Sequence, residues 1–409
     1  MGLRVASSGT DGSSEGNQRT LGLAQRIRVY GELSKFRLSS LVVATTGAGF
    51  LAAGAPVDVP TMAAACVGTA LCAGSASAFN HIIERDYDVL MNRTRLRPLP
   101  SGAVTPTEAL GFGVGMGAAG TSLLLAGTNP VVTILGAANI ALYAGAYTYS
   151  KRRTELNTWI GAFVGAVPPV MGWAAATGGN LASAEPLALG TLLFLWQFPH
   201  FFSLSWMHRE DYARGGFQMV AVNDPSGSRT AGLITEYSLY LAALPLVCSA
   251  TGLTGSMFAV EGMAASSYLL LLAHRFRQNH SNANARRIFL CSLWYLPLLL
   301  TGFVLHNKNW DTDAIENHDA SLLAVAGADE TTGGSTEAMM TRTKEALKGL
   351  CVHEVLVAQP SLKAPHLCAK VAIDGGVEGA REGIEHGVAA ASSVAIAASG
   401  SSTVQNGKD

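Results

Sequence analysis

Leu71-Cys72-Ala73-Gly74-Ser75-Ala76-Ser77-Ala78-Phe79-Asn80-His81-Ile82-Ile83-Glu84-Arg85-Asp86-Tyr87-Asp88 reads as a helix that leaves a lipid bilayer. Its first half is small and uncharged, the composition that lets helix backbones approach closely in lipid. Its second half gathers an amide, a histidine, an arginine and three acids. Working outward from this stretch, the same alternation recurs along the chain. Between Arg97 and Lys151 the charged side chain is Glu108, between Glu155 and Arg209 it is Glu185, and Ile288 to Asn307 has none. Charged residues make up 14% of the 409 and hydrophobic residues 49%, where a soluble protein carries roughly a quarter charged. Apolar stretches of this length cross a hydrocarbon core of about 30 Å, which takes roughly 20 helical residues.

Nine spans are expected, near 38–54, 61–84, 107–127, 130–149, 157–177, 187–207, 233–252, 257–273 and 287–306. The fold class is therefore all-α, a polytopic membrane bundle of about nine transmembrane helices. Loop charges test the count. Lys and Arg fall before the first span and after the second, fourth, sixth and eighth, while the loops after the first, third, fifth and seventh hold none. Nine spans put every one of these cations on one side, as the positive-inside rule requires. The N-terminus is then expected in the cytoplasm or matrix and the C-terminus opposite. Residues 1–29 read as a low-complexity segment, 30–306 as the transmembrane domain, and 307–409 as a low-complexity, largely disordered tail with Gly/Ser/Thr/Ala tracts. Asp11 and Glu15 weaken the N-terminus as a targeting presequence, and Ala6 stands where a myristoylation motif wants Ser or Thr. The six cysteines form no CxxC pair and read as small buried hydrophobes plus two tail thiols. The net charge of -1 hides this segregation, and no nucleic-acid partner is expected.

On a helix, Asn80, Glu84 and Asp88 stand at i, i+4 and i+8 and lie within about 80° of one face. Three such oxygens at a membrane boundary suit Mg²⁺, a hard ion held by one or two carboxylates plus substrate phosphates and water. Asp86 projects elsewhere. The plainer reading makes Asn80 an interhelical hydrogen bond and the acids a balance for nearby arginines. Acids at the mouth of a membrane bundle are costly, which favours function. The loop Met91-Asn92-Arg93-Thr94-Arg95-Leu96-Arg97-Pro98 sets guanidinium forks beside them, suited to phosphate oxygens or to lipid headgroups. Tyr147 and Lys151 share a face at the end of the fourth span, where Lys151 would hold a diphosphate oxygen and Tyr147 line the pocket just deeper. The sixth span ends Trp196-Gln197-Phe198-Pro199-His200-Phe201 and continues to Arg209-Glu210-Asp211-Tyr212. His200, about two turns into the membrane, needs a partner or a role. An ordinary interhelical hydrogen bond and a haem or catalytic role both remain open.

The run Asn80-x3-Glu84-x3-Asp88-x2-Met91-x-Arg93-Thr94-x2-Arg97-Pro98 is similar to the first metal–diphosphate motif of the UbiA superfamily of intramembrane prenyltransferases. Tyr147-Thr148-x2-Lys151-Arg152, Asn157-Thr158-Trp159-Ile160-Gly161, Pro168-Pro169-Val170-Met171-Gly172-Trp173 and the Trp196 to Tyr212 segment resemble its haem-farnesylating branch. The superfamily usually has Asp at the position of Glu84, and Glu is typical of the mitochondrial-type haem enzymes. Quinone-type relatives carry a second aspartate-rich motif where this chain has His200. The resemblance covers about residues 30–306 and implies a nine-helix bundle, Mg²⁺ dependence, farnesyl diphosphate as donor, haem b as acceptor and haem O as product. It implies Mg²⁺ on Asn80, Glu84 and Asp88, diphosphate on Arg93, Arg97 and Lys151, and a site completed by Arg209, Glu210 and Asp211. Tyr147, Arg152, His200 and Tyr212 would line or bind substrate, with His200 orienting or ligating haem. It further implies a multi-pass protein of the mitochondrial inner membrane with a matrix-side active site, membrane lipid around it, and a haem A synthase as a candidate partner. One rival is a relative with an aromatic acceptor, against which His200 and the Pro168 to Trp173 run stand. The other is a transporter, which would carry polar groups through the full bilayer depth, whereas Asp58, Glu108, Glu185 and Glu261 are scattered singly.

Overall fold

The computed structural model describes residues 22–310, Ala55 excepted. Among them the fold is all-α, with an isolated bridge between Thr254 and Asn307. A short helix α1 (Leu23–Leu33) precedes α2 (Phe36–Leu51) and the long α3 (Val59–Asp88). Then follow α4 (Pro106–Gly127), α5 (Pro130–Ser150), α6 (Asn157–Ala176), α7 (Ala184–Met207) and the one-turn-and-a-half α8 (Arg209–Arg214). Helices α9 (Ser228–Ala250), α10 (Ser256–Gln278) and α11 (Asn282–Leu305) complete the bundle.

Eight of these helices are long and apolar enough to cross a membrane, and the ninth expected span is the 16-residue α2. At 1.5 Å per residue α2 covers roughly 24 Å, short of the ~30 Å hydrocarbon core. It begins at Phe36, two residues before the expected start, where Lys35 in the left-handed region (φ 49°) separates it from α1. It stops early because Gly54 turns at φ 90° against the Asn309 backbone. The sequence reading placed no helix over 23–33, where α1 buries Val29 and Leu33. The readings made for residues 1–21 and 311–409 fall outside the described residues.

Helix starts follow local chemistry. Asp58, Thr105, Asn129 and Ser281 accept hydrogen bonds from the first turns of α3, α4, α5 and α11, and Pro occupies N1 or N2 of α3, α4 and α5. The small residues then act in pairs. A Cβ on Gly49 would lie 2.0 Å from the Pro169 carbonyl oxygen, and one on Gly172 would lie 1.9 Å from that of Thr46. So α2 and α6 meet backbone to backbone, as small residues allow in lipid. Helix α3 packs between α2 and α4, α6 leads to α7, and α7 is flanked by α9 and α11, with α11 returning to α2. At 30 residues α3 spans roughly 45 Å. Its last turns therefore outrun the bilayer and carry Glu84 and Asp88 to the boundary.

Candidate active site at the mouth of the bundle

Five chain segments converge on a cavity of about 60 Å³. Glu84 and Asp88 enter from the end of α3, 4% and 0% exposed. The loop beyond it folds back because Thr94 donates its hydroxyl to the Asp88 carbonyl (2.9 Å). Arg97 is thereby returned to Asp88, donating to both carboxylate oxygens at 3.0 and 2.8 Å. Lys151, just past α5, reaches Glu84 Oε1 at 2.6 Å, and Arg97 stands 4.0 Å from the same carboxylate. Burial alone would depress the Lys151 ammonium, but the Glu84 charge and the tyrosines Tyr147 and Tyr143 hold its pKa above the ordinary lysine value.

Asn80, fully buried, is the third member of the face that the sequence reading singled out. Its amide nitrogen donates to Thr148 Oγ1 (3.0 Å), which aims the carbonyl oxygen at Lys35 Nζ, 2.6 Å away. Lys35 also donates to Tyr143 Oη at 3.1 Å. In the sequence Lys35 stands out only as one of the cations before the first span. Its signals were a cation just before the first span on the side of the acids, and in the structure a left-handed backbone, costly for a residue with a Cβ. Burial, then the charges of Arg97 and Lys151, bring its pKa down to about 7 against the opposing pull of Glu84 and Asp88.

The end of α5 carries a second feature absent from the sequence reading. Leu142–Tyr147 winds as a π-helix, the widened turn that recurs at functional sites. It turns the Tyr143 and Tyr147 rings toward the cations, with Lys151 Nζ 4.4 Å from the Tyr147 ring centre and Lys35 Nζ 5.5 Å from that of Tyr143. The roof comes from α8 and the chain after it. Tyr212, Phe217, Met219 and Met91 form a buried cluster. Arg93 donates to Tyr212 Oη at 2.9 Å, and Gln218 N donates to the Lys151 carbonyl at 2.7 Å.

Of the residues expected at the site, Glu84, Asp88, Arg93, Arg97, Tyr147, Lys151 and Tyr212 line this cavity, and Asn80 adjoins it through Lys35. Asp211 supports the roof instead, accepting from Asn92 N (3.3 Å) and pairing with Arg214. The Arg152 guanidinium lies over the Tyr87 ring at 3.9 Å. Arg209 turns away, donating to the Trp206 carbonyl and Asn282 Oδ1, and Glu210 is exposed. His200 points into the α7–α11 seam, between the rings of Trp196 and Phe289, with Nδ1 2.8 Å from Ser292 Oγ. Since Ser292 donates its hydroxyl to the Phe289 carbonyl, Nδ1 is the donor in that contact.

The donor set suits a divalent hard cation. Two carboxylates and one amide oxygen are buried side by side, and each is matched by a nitrogen cation of this chain: Asn80 by Lys35, Glu84 by Lys151, Asp88 by Arg97. Oxygens alone, with two carboxylates, fit Mg²⁺ completed by substrate phosphate and water. Among the described residues no group of three or more His, Cys, Asp and Glu side chains is placed for a metal, and this set has two carboxylates joined by an amide oxygen.

The UbiA prenyltransferase family model matches residues 40–296. The chain is 39% identical over 297 residues to the mitochondrial protoheme IX farnesyltransferase of Arabidopsis thaliana, covering 72% of this chain and 68% of that one. It is 42% identical over 272 residues to its Homo sapiens counterpart (66% and 60%). It is 38% identical over 284 residues to the protoheme IX farnesyltransferase of Solibacter usitatus (67% and 96%). The matched segment thus spans 60–70% of the plant and human relatives and nearly all of the bacterial one. In fold it is similar to a digeranylgeranylglyceryl phosphate synthase (TM-score 0.58, 14% identity, 69% of this chain and 98% of that one). It is also similar to a UbiA homolog from Archaeoglobus fulgidus bound to DMAPP and Mg²⁺ (TM-score 0.52, 13% identity, 67% and 99%). With an all-α bundle, acids and cations paired at one mouth, and a family match over more than half its length, this chain belongs to the UbiA prenyltransferase family.

Proposed function

We propose that the chain transfers a farnesyl group from farnesyl diphosphate to a vinyl group of protoheme IX (haem b), making haem O. The observation that carries the reading is the paired set of buried oxygens and cations in a cavity roofed by aromatic and methionine side chains, in a chain whose relatives are named for this reaction. Asn80, Glu84 and Asp88 would hold Mg²⁺, which when bound supplies positive charge to the leaving diphosphate. Arg97, Lys151 and Lys35 are placed to exchange the carboxylates and amide for diphosphate oxygens as the donor enters. Cations fixed where negative charge builds favour rupture of the C1–O bond. The Tyr147 and Tyr143 rings then face the allylic cation, an arrangement aromatic faces stabilise. The roof of Tyr212, Phe217 and Met219 keeps water out until the vinyl carbon bonds to C1; water then adds to the carbocation left on the vinyl carbon beside the porphyrin and loses a proton, giving the hydroxyl of haem O.

The chain's relatives in the plant and human lineages are mitochondrial, and the Lys/Arg-bearing loops lie where the site opens. The reading therefore places a multi-pass protein in the mitochondrial inner membrane with this mouth toward the matrix. Haem A synthase, as consumer of the product, is the candidate partner. Arg93 supports diphosphate binding from beside Tyr212, while Asp211 and Arg152 brace the roof. Arg209, Glu210 and His200 lie outside the cavity, so a part for them in acceptor docking rests on the resemblance alone. The test is purified protein in lipid nanodiscs with haem b, farnesyl diphosphate and Mg²⁺, the pigment identified by mass. Prenylation of 4-hydroxybenzoate with no haem product would end the haem reading.

A further inference from the structure

Below the site lies a second cavity, of about 90 Å³. Its upper rim holds Leu38, Ser39, Ser77 and Tyr143, the last hydrogen-bonded to Lys35 in the site above. Its lower end holds Thr69, Cys72, Gly136 and Met171. The rest of the wall is mostly apolar, including Ala73, Ala76, Ile140 and Pro168, with Asn139 as its polar member. From rim to floor the lining runs Ser77 to Thr69 on α3, Tyr143 to Gly136 on α5, Val164 to Met171 on α6, and Leu38 to Val42 on α2, the first two helices antiparallel to the last two.

The two ends differ. At the rim Leu38 is 55% exposed, so the cavity opens sideways there. At the bottom Met171, Leu124 and Cys72 are 1%, 0% and 5% exposed. They close on Gly136 so tightly that a Cβ on it would lie 2.8 Å from Leu124 Cδ1, 3.3 Å from Met171 Cε and 3.5 Å from Cys72 Sγ. The floor is therefore lined by Met171, Cys72 and Gly136, with Leu124 of α4 packed behind them as the third member of the plug.

Depth can be read along α3. Asn80, level with the diphosphate site, and Thr69, level with the plug, are eleven residues apart, roughly 16 Å at 1.5 Å per residue. Each isoprene unit adds four carbon–carbon bonds to a prenyl chain. At about 1.5 Å per bond less the zigzag, that is roughly 5 Å. Three units need roughly 15 Å and fit between site and plug. A fourth needs roughly 20 Å and would drive into Met171 and Leu124.

We propose that the plug of Met171, Leu124 and Cys72 beneath Gly136 sets the length of isoprenoid chain the enzyme accepts, with Met171 as the adjustable member. Met is the flexible one, so truncating it deepens the cavity with least disturbance to the backbone contacts around Gly136 and Gly172. Ala73, one turn above Thr69 on the same wall, is the complementary position, where a larger side chain raises the floor. The inference rests on the reading of the upper site as a prenyl diphosphate site.

The experiment compares geranyl, farnesyl and geranylgeranyl diphosphate in two ways. The first readout is thermal stabilisation of the protein by each donor with Mg²⁺ and no haem, which reports the fit of the chain alone. The second is haem product by mass in three-way competition. Wild type should favour farnesyl. Met171→Ala should raise the geranylgeranyl-to-farnesyl ratio roughly tenfold, and Met171→Val should do so less. Ala73→Leu should move preference the other way, toward geranyl. A plug with only a packing role would weaken all three donors alike. Ratios within twofold of wild type in folded variants, or a wild type that takes geranylgeranyl as readily as farnesyl, would overturn the proposal. Loss of haem product with the length-dependent stabilisation intact would instead count against the acceptor reading and leave the ruler standing.

Discussion

Replacing Lys151 by Met is expected to move two affinities in opposite directions. In the free protein Glu84 is 4% exposed and its carboxylate is held by Lys151 at 2.6 Å, with Arg97 next at 4.0 Å. Removing one partner from a buried pair leaves the other at a cost of roughly 3–5 kcal/mol. A divalent cation arriving at that orphaned carboxylate recovers part of this cost, and recovering even about 1.4 kcal/mol is a tenfold gain in affinity. Donor-free Lys151→Met protein should therefore bind Mn²⁺, used as a spectroscopic stand-in for Mg²⁺, at least roughly tenfold more tightly than wild type. The same substitution removes a charge-assisted hydrogen bond to the diphosphate, worth roughly 1.5–3 kcal/mol. Farnesyl diphosphate should then bind on the order of tenfold to a hundredfold more weakly. Electron paramagnetic resonance titration of Mn²⁺ and calorimetric titration of the donor, both on nanodisc-embedded protein, read the two arms. The reasoning fails if a folded variant binds Mn²⁺ no better than wild type, because Glu84 would then not be a ligand whose charge Lys151 masks.

Asp88→Ala and Arg97→Ala should each abolish haem O formation while the protein still inserts and purifies as a folded species; wild-type turnover by either would refute the assigned site. Lys35, brought down to about 7 by burial and by Arg97 and Lys151, is an ammonium below that pH and an amine above it in the free protein. Donor binding that needs the ammonium must then take up a proton above pH 7, so affinity should fall by up to about tenfold per unit from pH 7 to 9. Lys35→Arg should flatten that slope. Gly172→Val should unfold or aggregate the protein, since even a Cβ there meets the Thr46 carbonyl oxygen at 1.9 Å; a variant with unchanged thermal midpoint would show that α2 and α6 are not in backbone contact. Cysteines placed at Asp86 and Glu210 should react with an impermeant thiol reagent from the same face, and labelling from opposite faces would separate α3 from α8 and dismantle the site.

The membrane bundle was legible because hydropathy and charge segregation are properties of the chain itself. A span must be long, apolar and free of charge in its middle, and the cations must end on one side. What the sequence could not reveal is where a helix yields to local geometry. The first span, expected over 38–54, runs Phe36–Leu51 and ends early where Gly54 turns at φ 90°, and α1 went unseen because its apolar residues are too few to stand out. In the site, the i, i+4, i+8 spacing of Asn80, Glu84 and Asp88 was visible because it obeys the helix period, whereas the turn that returns Arg97 to Asp88 emerges only in the structure. Lys35 was invisible for the opposite reason: it stands 45 residues from the Asn80 it contacts, and no period links them. The π-helical turn at Leu142–Tyr147 has no sequence signature either, since it is set by how α5 packs on α3 and α6.

His200 marks where residue type misleads. A histidine deep in an apolar span asks for a polar partner because a buried, unpaired ring nitrogen is costly. The demand is met here by one seryl oxygen on α11 and two flanking rings, so burial alone no longer argues for a ligand role. Lys35 is the reverse case. It is a charge with no periodic signature, yet it is held in a costly backbone conformation, paired with a buried amide oxygen and directed at the same cavity as Lys151 and Arg97. A strained backbone that ends in a convergent charge needs an explanation that packing does not supply. Diphosphate recognition supplies one, because three nitrogen cations already matched to three oxygens become available together when a metal takes the oxygens and an anion takes the cations. In the free site the Glu84 and Asp88 charges are thus offset by Lys151 and Arg97, groups that later bind the substrate, while Lys35 rests on a neutral amide oxygen. This is why the cations and the acids had to be drawn from helix ends so far apart in the chain.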